Sequence, residues 1–322
     1  VKSGQVVEMN PMNEYLDNII SLINLDAIRE RDLRLAIDPM YGVSLTALCT
    51  ILSIARCTVE TINAQHDTLF GGKMPAPTES TLRNLQNYVL DRYCDIGIAT
   101  DGDADRLGVI DDKGHYLHAN TILVMLYYYL LKYRGWRGPA VRNLSTTHVL
   151  DKVAESFGQK CYEVPVGFKY ISAKMQETDA IIGGESSGGL TVKGYIHGKD
   201  GIYAASLLVE MMAVSGKKLS EIAEDIRKEY GEIHMEERAY RFTAEEKERI
   251  HKTLMMDQAL PEIPFEIDHV SYMDGCKVYL KNGGWVSARF SGTEPLLRIF
   301  CEMQTEHEAV LLCEVFEKFL GL

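Results

Sequence analysis

Between residues 33 and 110 the chain alternates short apolar runs with helical ones, and this alternation restricts the fold more than any other feature. Residues 33–38, 58–62, 96–99 and 107–110 read as strands, and 43–55 and 80–91 as helices. Strands alternating with helices argue for an α/β layer with a mostly parallel sheet. Asp111-Asp112-Lys113-Gly114 reads as a turn, and a domain boundary is placed there. The alternation then restarts: helix 119–133, strand 140–144, helix 148–157, strand 160–164, helix 170–177 and strand 180–182. A glycine-rich loop over 183–201 and helices over 202–214 and 219–230 complete that stretch. Ahead of all this, residues 15–28 carry the spacing of one helix, and 1–13 form a lead-in.

The last segment changes character. Thr243-Ala244-Glu245-Glu246 is a capping box opening a helix. Strands at 276–280 and 285–290 flank Lys281-Asn282-Gly283-Gly284, a hairpin turn. A strand at 297–302 and an amphipathic helix at 306–320 close the chain. The expected fold class is α/β: two consecutive mixed α/β domains, 14–114 and 115–231, followed by a smaller α+β domain, 232–322.

Composition narrows the partners. Across 322 residues the net charge is −12 with no basic stripe, which argues against nucleic acid and anionic membranes as partners. The longest apolar stretch, 119–131, is too short to span a bilayer. There is no signal-peptide pattern at the start, and the chain begins at Val1, which suggests a processed or truncated product. Seven scattered cysteines without a C-x-x-C pair give little support to zinc or redox roles and fit a reducing cytoplasm.

The chemistry concentrates in Thr100-Asp101-Gly102-Asp103-Ala104-Asp105-Arg106, between two strands. Alternate residues of an extended segment share a face, so Asp101, Asp103 and Asp105 can converge. Converging carboxylates call for a cation, and hard ions such as Mg²⁺ or Ca²⁺ favour oxygen ligands. An EF-hand loop needs Gly where Arg106 stands. Arg106 is expected to point elsewhere, as a guanidinium beside a metal suits a phosphate. The plainer reading is a polar turn.

Three other stretches carry weaker signals. Gly183-Gly184-Glu185-Ser186-Ser187-Gly188-Gly189 is either a mobile loop or a close backbone approach whose carboxylate and hydroxyls bind sugar hydroxyls. Arg289-Phe290-Ser291-Gly292-Thr293-Glu294-Pro295, with Arg298 beyond it, is either a turn or a phosphate cradle. Lys169 precedes a helix and could reach an anion, although a solvated lysine is the commoner outcome. Asp200 is a plausible N-cap, which leaves Lys199 free to act, and neither His148 nor His197 is expected to be catalytic.

Taken together and in this order, these stretches resemble the α-D-phosphohexomutases, the family of phosphoglucomutases and phosphomannomutases. The resemblance runs from about Tyr15 to the C-terminus and includes Ile37-Asp38-Pro39-Met40-Tyr41-Gly42 and Phe70-Gly71-Gly72-Lys73-Met74-Pro75-Ala76-Pro77. It implies the second, third and fourth domains of a four-domain enzyme, binding metal, sugar and phosphate respectively. By that resemblance Asp101, Asp103 and Asp105 hold Mg²⁺, with Arg106 near the transferred phosphoryl group. Lys169 and Lys199 line the active site, and Glu185 and Ser187 contact sugar hydroxyls. Arg289, Ser291, Gly292, Thr293 and Arg298 hold the other phosphate. The family's phosphoserine loop, Thr-Ala-Ser-His-Asn-Pro, has no counterpart here. Tyr195 stands where related phosphoglucomutases often have His, and Ser186 where Glu is frequent.

The resemblance implies a cytoplasmic, Mg²⁺-dependent interconversion of hexose 1- and 6-phosphates, with glucose expected as the sugar. A hexose 1,6-bisphosphate would be the intermediate and activator, and a missing N-terminal domain a partner. The chain alone is then expected to be inactive. The alternatives are a stand-alone, non-catalytic sugar-phosphate-binding protein and, with least support, a metal-dependent phosphatase.

Overall fold

The computed structural model describes residues 7–292 and 294–322. The first stretch holds α1 (Met12–Leu22), α2 (Leu25–Arg29), β1 (Arg34–Asp38), α3 (Leu45–Ile54) and β2 (Thr58–Thr61). It continues with α4 (Arg83–Arg92), β3 (Ile96–Thr100), β4 (Leu107–Ile110), β5 (Tyr116–Leu117) and α5 (Ala119–Lys132). Next come β6 (Ala140–Asn143), α6 (Val149–Ser156), β7 (Cys161–Val164), α7 (Phe168–Thr178) and β8 (Ile182–Gly184). Then follow β9 (Leu190–Val192), α8 (Gly201–Ser215), α9 (Leu219–Tyr230), β10 (His234–Arg241) and α10 (Ala244–His251). The chain ends with β11 (Ile267–Ser271), β12 (Cys276–Leu280), β13 (Trp285–Phe290), β14 (Leu296–Met303) and α11 (Glu306–Leu320). These elements form two compact units: residues 7–137 with 187–225, and the described residues of 138–186 with 226–322.

In the first unit the sheet order is β2-β1-β3-β4-β5. β1 lies parallel to both β2 and β3, while β4 and β5 add on antiparallel. Strand β3 is buried along its length and β1 from Leu35 onward, as expected for strands covered on both faces. Helix α8 is buried from Gly201 to Ala213 and packs on α2, α3 and α5. The chain reverses direction across β1, whose neighbours lead one to each side. The carboxyl ends of β1 and β3 therefore bound the crevice where open α/β sheets bind ligands. The single helix expected over 15–28 is two helices. Asn24 breaks it: its side chain accepts the Ala27 N–H at 3.0 Å and its own N–H donates to Glu210 at 2.8 Å.

In the second unit β6 lies parallel between β7 and β8. The last part of the chain forms an antiparallel sheet, β10-β14-β13-β12-β11. One face of it, with Val278, Val286, Ala288, Ile299 and Cys301, packs with Leu312, Cys313 and Phe316 of α11. The other face carries Lys277, Tyr279, Trp285 and Ser287 and meets the β6–β7 layer. There the buried Lys277 Nζ donates to the Leu144 carbonyl at 2.6 Å and to Glu163 at 2.7 Å. Arg142 bridges Glu163 and Asp151 from the other side. The expected capping box is present, with Thr243 and Glu246 bonded reciprocally. Strands β5, β9, β10 and β11 were not legible in the sequence.

Candidate functional site

The aspartate loop joins β3 to β4, with Thr100 opposite Leu107 in the ladder. Carboxylate oxygens of Asp101, Asp103 and Asp105 lie within 4.8 Å of one another, so the loop does converge. Close packing of backbone shapes it. A side chain at Gly42 would stand 2.5 Å from the Gly102 carbonyl, and the Val43 N–H donates to that carbonyl at 3.2 Å. On the other side, Gly201, the first residue of α8, donates its N–H to the Ala104 carbonyl at 2.9 Å. Ala104 takes φ +63° to allow this, a conformation with a real cost for a residue with a Cβ.

Charge in the loop is partly offset by cations close to it. Asp101 is 1% exposed, and its carboxylate accepts from the Arg106 Nε at 2.6 Å and the Arg106 N–H at 3.0 Å. Burial pushes its carboxyl up, the Arg106 bonds oppose that, and the Asp105 charge reinforces it. Arg106 therefore turns back onto the triad instead of pointing away. Lys199 is likewise engaged rather than free, because its ammonium pairs with Asp105. Two cations drawn onto three carboxylates show a site that attracts positive charge, and its all-oxygen donor set fits a small, hard divalent ion such as Mg²⁺.

The glycines at 188 and 189 make room rather than mobility. Gly188, at φ +102°, approaches the Leu107 carbonyl, and a Cβ at Gly189 would overlap the Lys199 stem at 2.1 Å. Ser187 beside them is exposed. Asp200 does cap α8, accepting from the Ile202 and Tyr203 N–H groups at 2.8 and 2.9 Å. Its second oxygen accepts from Tyr195 at 2.6 Å and Tyr15 at 2.9 Å. Tyr195 thus anchors the loop that carries Lys199.

The second unit brings together another set. Glu185, just past β8, is 9% exposed and accepts from the Asn143 amide at 3.2 Å and the Gly167 N–H at 3.3 Å. Lys169 opens α7 with its ammonium 4.9 Å over the Tyr170 ring. Arg289 and Arg298 stand directly opposite on β13 and β14. Like charges so placed repel, and acidic groups offset them: Asp274 for Arg289 at 3.2 Å, and Glu237 and Glu294 for Arg298 at 2.9 and 2.8 Å. The Ser291 hydroxyl accepts the Glu294 N–H at 3.3 Å. Gly292 is exposed, with open space where a side chain would stand. Thr293 lies outside the described residues. Sequence reasoning did not single out Asn143 or Asp274, and it marked the stretch 166–170 for Lys169 and not for the Val166 and Gly167 amides, which link these groups; the local signal for Asp274 was the Asp274-Gly275 turn.

Family models for phosphoglucomutase/phosphomannomutase match in chain order. The alpha/beta/alpha domain II model covers residues 13–114, the domain III model 118–230 and the C-terminal domain model 240–318. The chain belongs to the phosphoglucomutase/phosphomannomutase family. A Thermococcus kodakarensis protein described as phosphoglucomutase/phosphomannomutase is 29% identical over 98% of this chain and 67% of its own length. A Methanosarcina acetivorans protein, described as a probable phosphoglucosamine mutase, is 30% identical over 98% of this chain and 68% of its own. A solved structure from Thermus thermophilus, described as a phosphomannomutase, superimposes with TM-score 0.82 at 26% identity, over 98% of this chain and 67% of that one. The chain therefore spans about two thirds of the length of these phosphohexomutase relatives. Among the described residues, no helix is long and apolar enough to cross a membrane.

Proposed function

We propose that this chain supplies the metal-, sugar- and phosphate-binding parts of a hexose-phosphate mutase, which moves a phosphoryl group between O1 and O6 through a hexose 1,6-bisphosphate. The observation that carries the reading is the convergence of Asp101, Asp103 and Asp105 within 4.8 Å, in a chain of this family. Phosphoryl transfer asks for positioning and charge neutralisation more than for covalent chemistry from the protein. Asp101, Asp103 and Asp105 would hold Mg²⁺. Bound there, the ion supplies Lewis-acid stabilisation of the transferring phosphoryl oxygens. Arg106 and Lys199, already at the triad, place two more positive charges for those oxygens. Glu185 and Ser187 recognise hydroxyls that both phosphate isomers present. Arg289, Ser291, Gly292, Thr293 and Arg298 hold the phosphate that is not moving, and Lys169 adds a cation for the anionic substrate.

Glucose is the proposed sugar, from the Gly-Glu-Ser-Ser-Gly-Gly and Gly-Phe-Lys stretches; the phosphoglucosamine mutase name that several relatives carry makes glucosamine the rival. No Ser-His pair occurs in these 322 residues, so the family's phosphoserine donor is not among them. On their own they should bind hexose phosphate and not turn it over.

Calorimetric titration with glucose 6-phosphate and glucosamine 6-phosphate, each with Mg²⁺, tests the reading beside a glucose 1-phosphate turnover assay. Binding favouring glucose 6-phosphate, without turnover, is expected. Tighter glucosamine 6-phosphate binding would overturn the choice of sugar, and Mg²⁺-dependent turnover by the pure chain would overturn the division of labour. No binding of either sugar phosphate at millimolar concentration would overturn the reading as a whole.

A further inference from the structure

One carboxylate outside the assigned set joins the hydroxyl-recognising group to the phosphate-holding one. Asp274 lies in the turn between β11 and β12. A single oxygen, Oδ2, accepts two hydrogen bonds, from the Val166 N–H at 3.0 Å and from the Arg289 Nε at 3.2 Å. The residue after Val166 is Gly167, whose N–H donates to Glu185 at 3.3 Å. A continuous path thus runs from Glu185 through the 166–167 backbone and Asp274 to Arg289.

The turn is built to hold this carboxylate in place. Gly275 has φ +90°, and a Cβ there would stand 2.5 Å from the Ala288 carbonyl and 2.7 Å from the Arg289 Cβ. Only a glycine lets the turn press onto β13 at the residue that Asp274 engages. The Arg289 terminal nitrogens meet no hydrogen-bonding partner among the described residues, so Asp274 fixes the guanidinium by its inner nitrogen and leaves its outer edge for an anion.

We infer that Asp274 is a positioning residue that sets the distance between Glu185 and Arg289, so that the chain selects a ligand carrying hydroxyls and a phosphate at hexose spacing over phosphate alone. The inference rests on the sugar-phosphate reading above and assigns it a residue which that reading does not use. Asp274 touches neither phosphate nor sugar in this scheme. Its removal should therefore damage the register between two subsites and leave each subsite intact. Free phosphate, which needs only the arginines, should bind no less well once the neutralising carboxylate is gone.

The test is the ratio of affinities for glucose 6-phosphate and inorganic phosphate, measured by calorimetry on the 322-residue chain. Asp274→Ala should lower the ratio about tenfold, the value of one or two lost hydrogen bonds, through weaker sugar-phosphate binding alone. Asp274→Asn keeps an acceptor oxygen and should restore most of it. Val166→Pro removes the N–H at the far end while leaving Asp274 and Arg289 untouched, and it should lower the ratio as Asp274→Ala does; it decides the matter if the alanine variant does not fold. An unchanged ratio in either folded variant, or equal weakening of both ligands by Asp274→Ala, overturns the inference. A wild-type chain that fails to prefer glucose 6-phosphate overturns the sugar-phosphate reading instead.

Discussion

Lys277 is a buried lysine whose surroundings set a measurable pH signature. Its ammonium lies 4.1 Å over the Trp285 ring and 4.7 Å over that of Tyr279, and it donates to His148 Nε2 at 3.1 Å. Burial and then the Arg142 charge push it down to about 7, with Glu163 opposing. Burial also pushes His148 down, to about 3, so the imidazole is a neutral acceptor. For Glu163 burial acts upward, yet the polar and charged groups around it, His148, Lys277 and Arg142, outweigh it and hold the carboxyl far below its usual range. Below about pH 7, folded and unfolded chains both carry the Lys277 proton. Between there and the ordinary 10.5 only the unfolded chain carries it. Unfolding then takes up a proton, so stability rises with pH, by at most about 1.4 kcal/mol per unit. The melting temperature of the wild-type chain should therefore gain on that of Lys277→Met between pH 7 and 9 by calorimetry. A constant difference would mean that Lys277 keeps an ordinary affinity for its proton. Removing the lysine does not strand Glu163, which retains Arg142 and Tyr279 as partners.

At the scale of elements, α8 depends on one side chain. Asp200 takes four hydrogen bonds, two from the helix start and two from tyrosines. Burial, with the Asp200 charge and hydrogen bond, pushes both tyrosine hydroxyls far up, so they stay donors over the whole working range. Asp200→Ala loses the cap and leaves two hydroxyls without an acceptor, a cost of roughly 2–4 kcal/mol. Asp200→Asn keeps the cap oxygen and should lose less. Urea midpoints of the two variants decide this; equal midpoints would show that the carboxylate contributes nothing beyond an amide. Such local devices were readable in the sequence: this cap, the Thr243 box, the turn at 281–284 and the closing helix all announce themselves within a few residues. Strand β10 was not readable, because His234–Arg241 is charged and lacks a clean apolar alternation. It is an edge strand held by full-length pairing with β14, and charge at a sheet edge opposes aggregation. The site divides the same way. The aspartate and arginine loops were legible from composition, whereas Asp274 reaches Val166 across 108 positions of sequence, and no local pattern records such a contact.

At the scale of the whole molecule, the compact units do not follow the chain in blocks. The polypeptide passes between them at 137/138, 186/187 and 225/226. Residues 138–186 are thus tethered at both ends to the first unit, and 187–225 at both ends to the second. Melting either unit releases a tether that closes a loop in the other, and loop closure carries a real entropic cost. The two tryptophans report on one unit each. Trp136 lies beside Arg134, 5.4 Å from its guanidinium, and Trp285 is wholly buried against His148. Single-tryptophan variants, Trp136→Phe and Trp285→Phe, should therefore give urea transitions that coincide with the far-ultraviolet signal of the same sample, the mark of all-or-none unfolding. Asp200→Ala sharpens the comparison, because its lesion is confined to the first unit. Placed on the Trp136→Phe background, it should lower the midpoint seen by Trp285 as much as it lowers the midpoint seen by Trp136 on the other. A Trp285 transition unmoved by that lesion would mean that the second unit stands without the first. Interleaving would then be a matter of chain path alone, with no energetic coupling between the units.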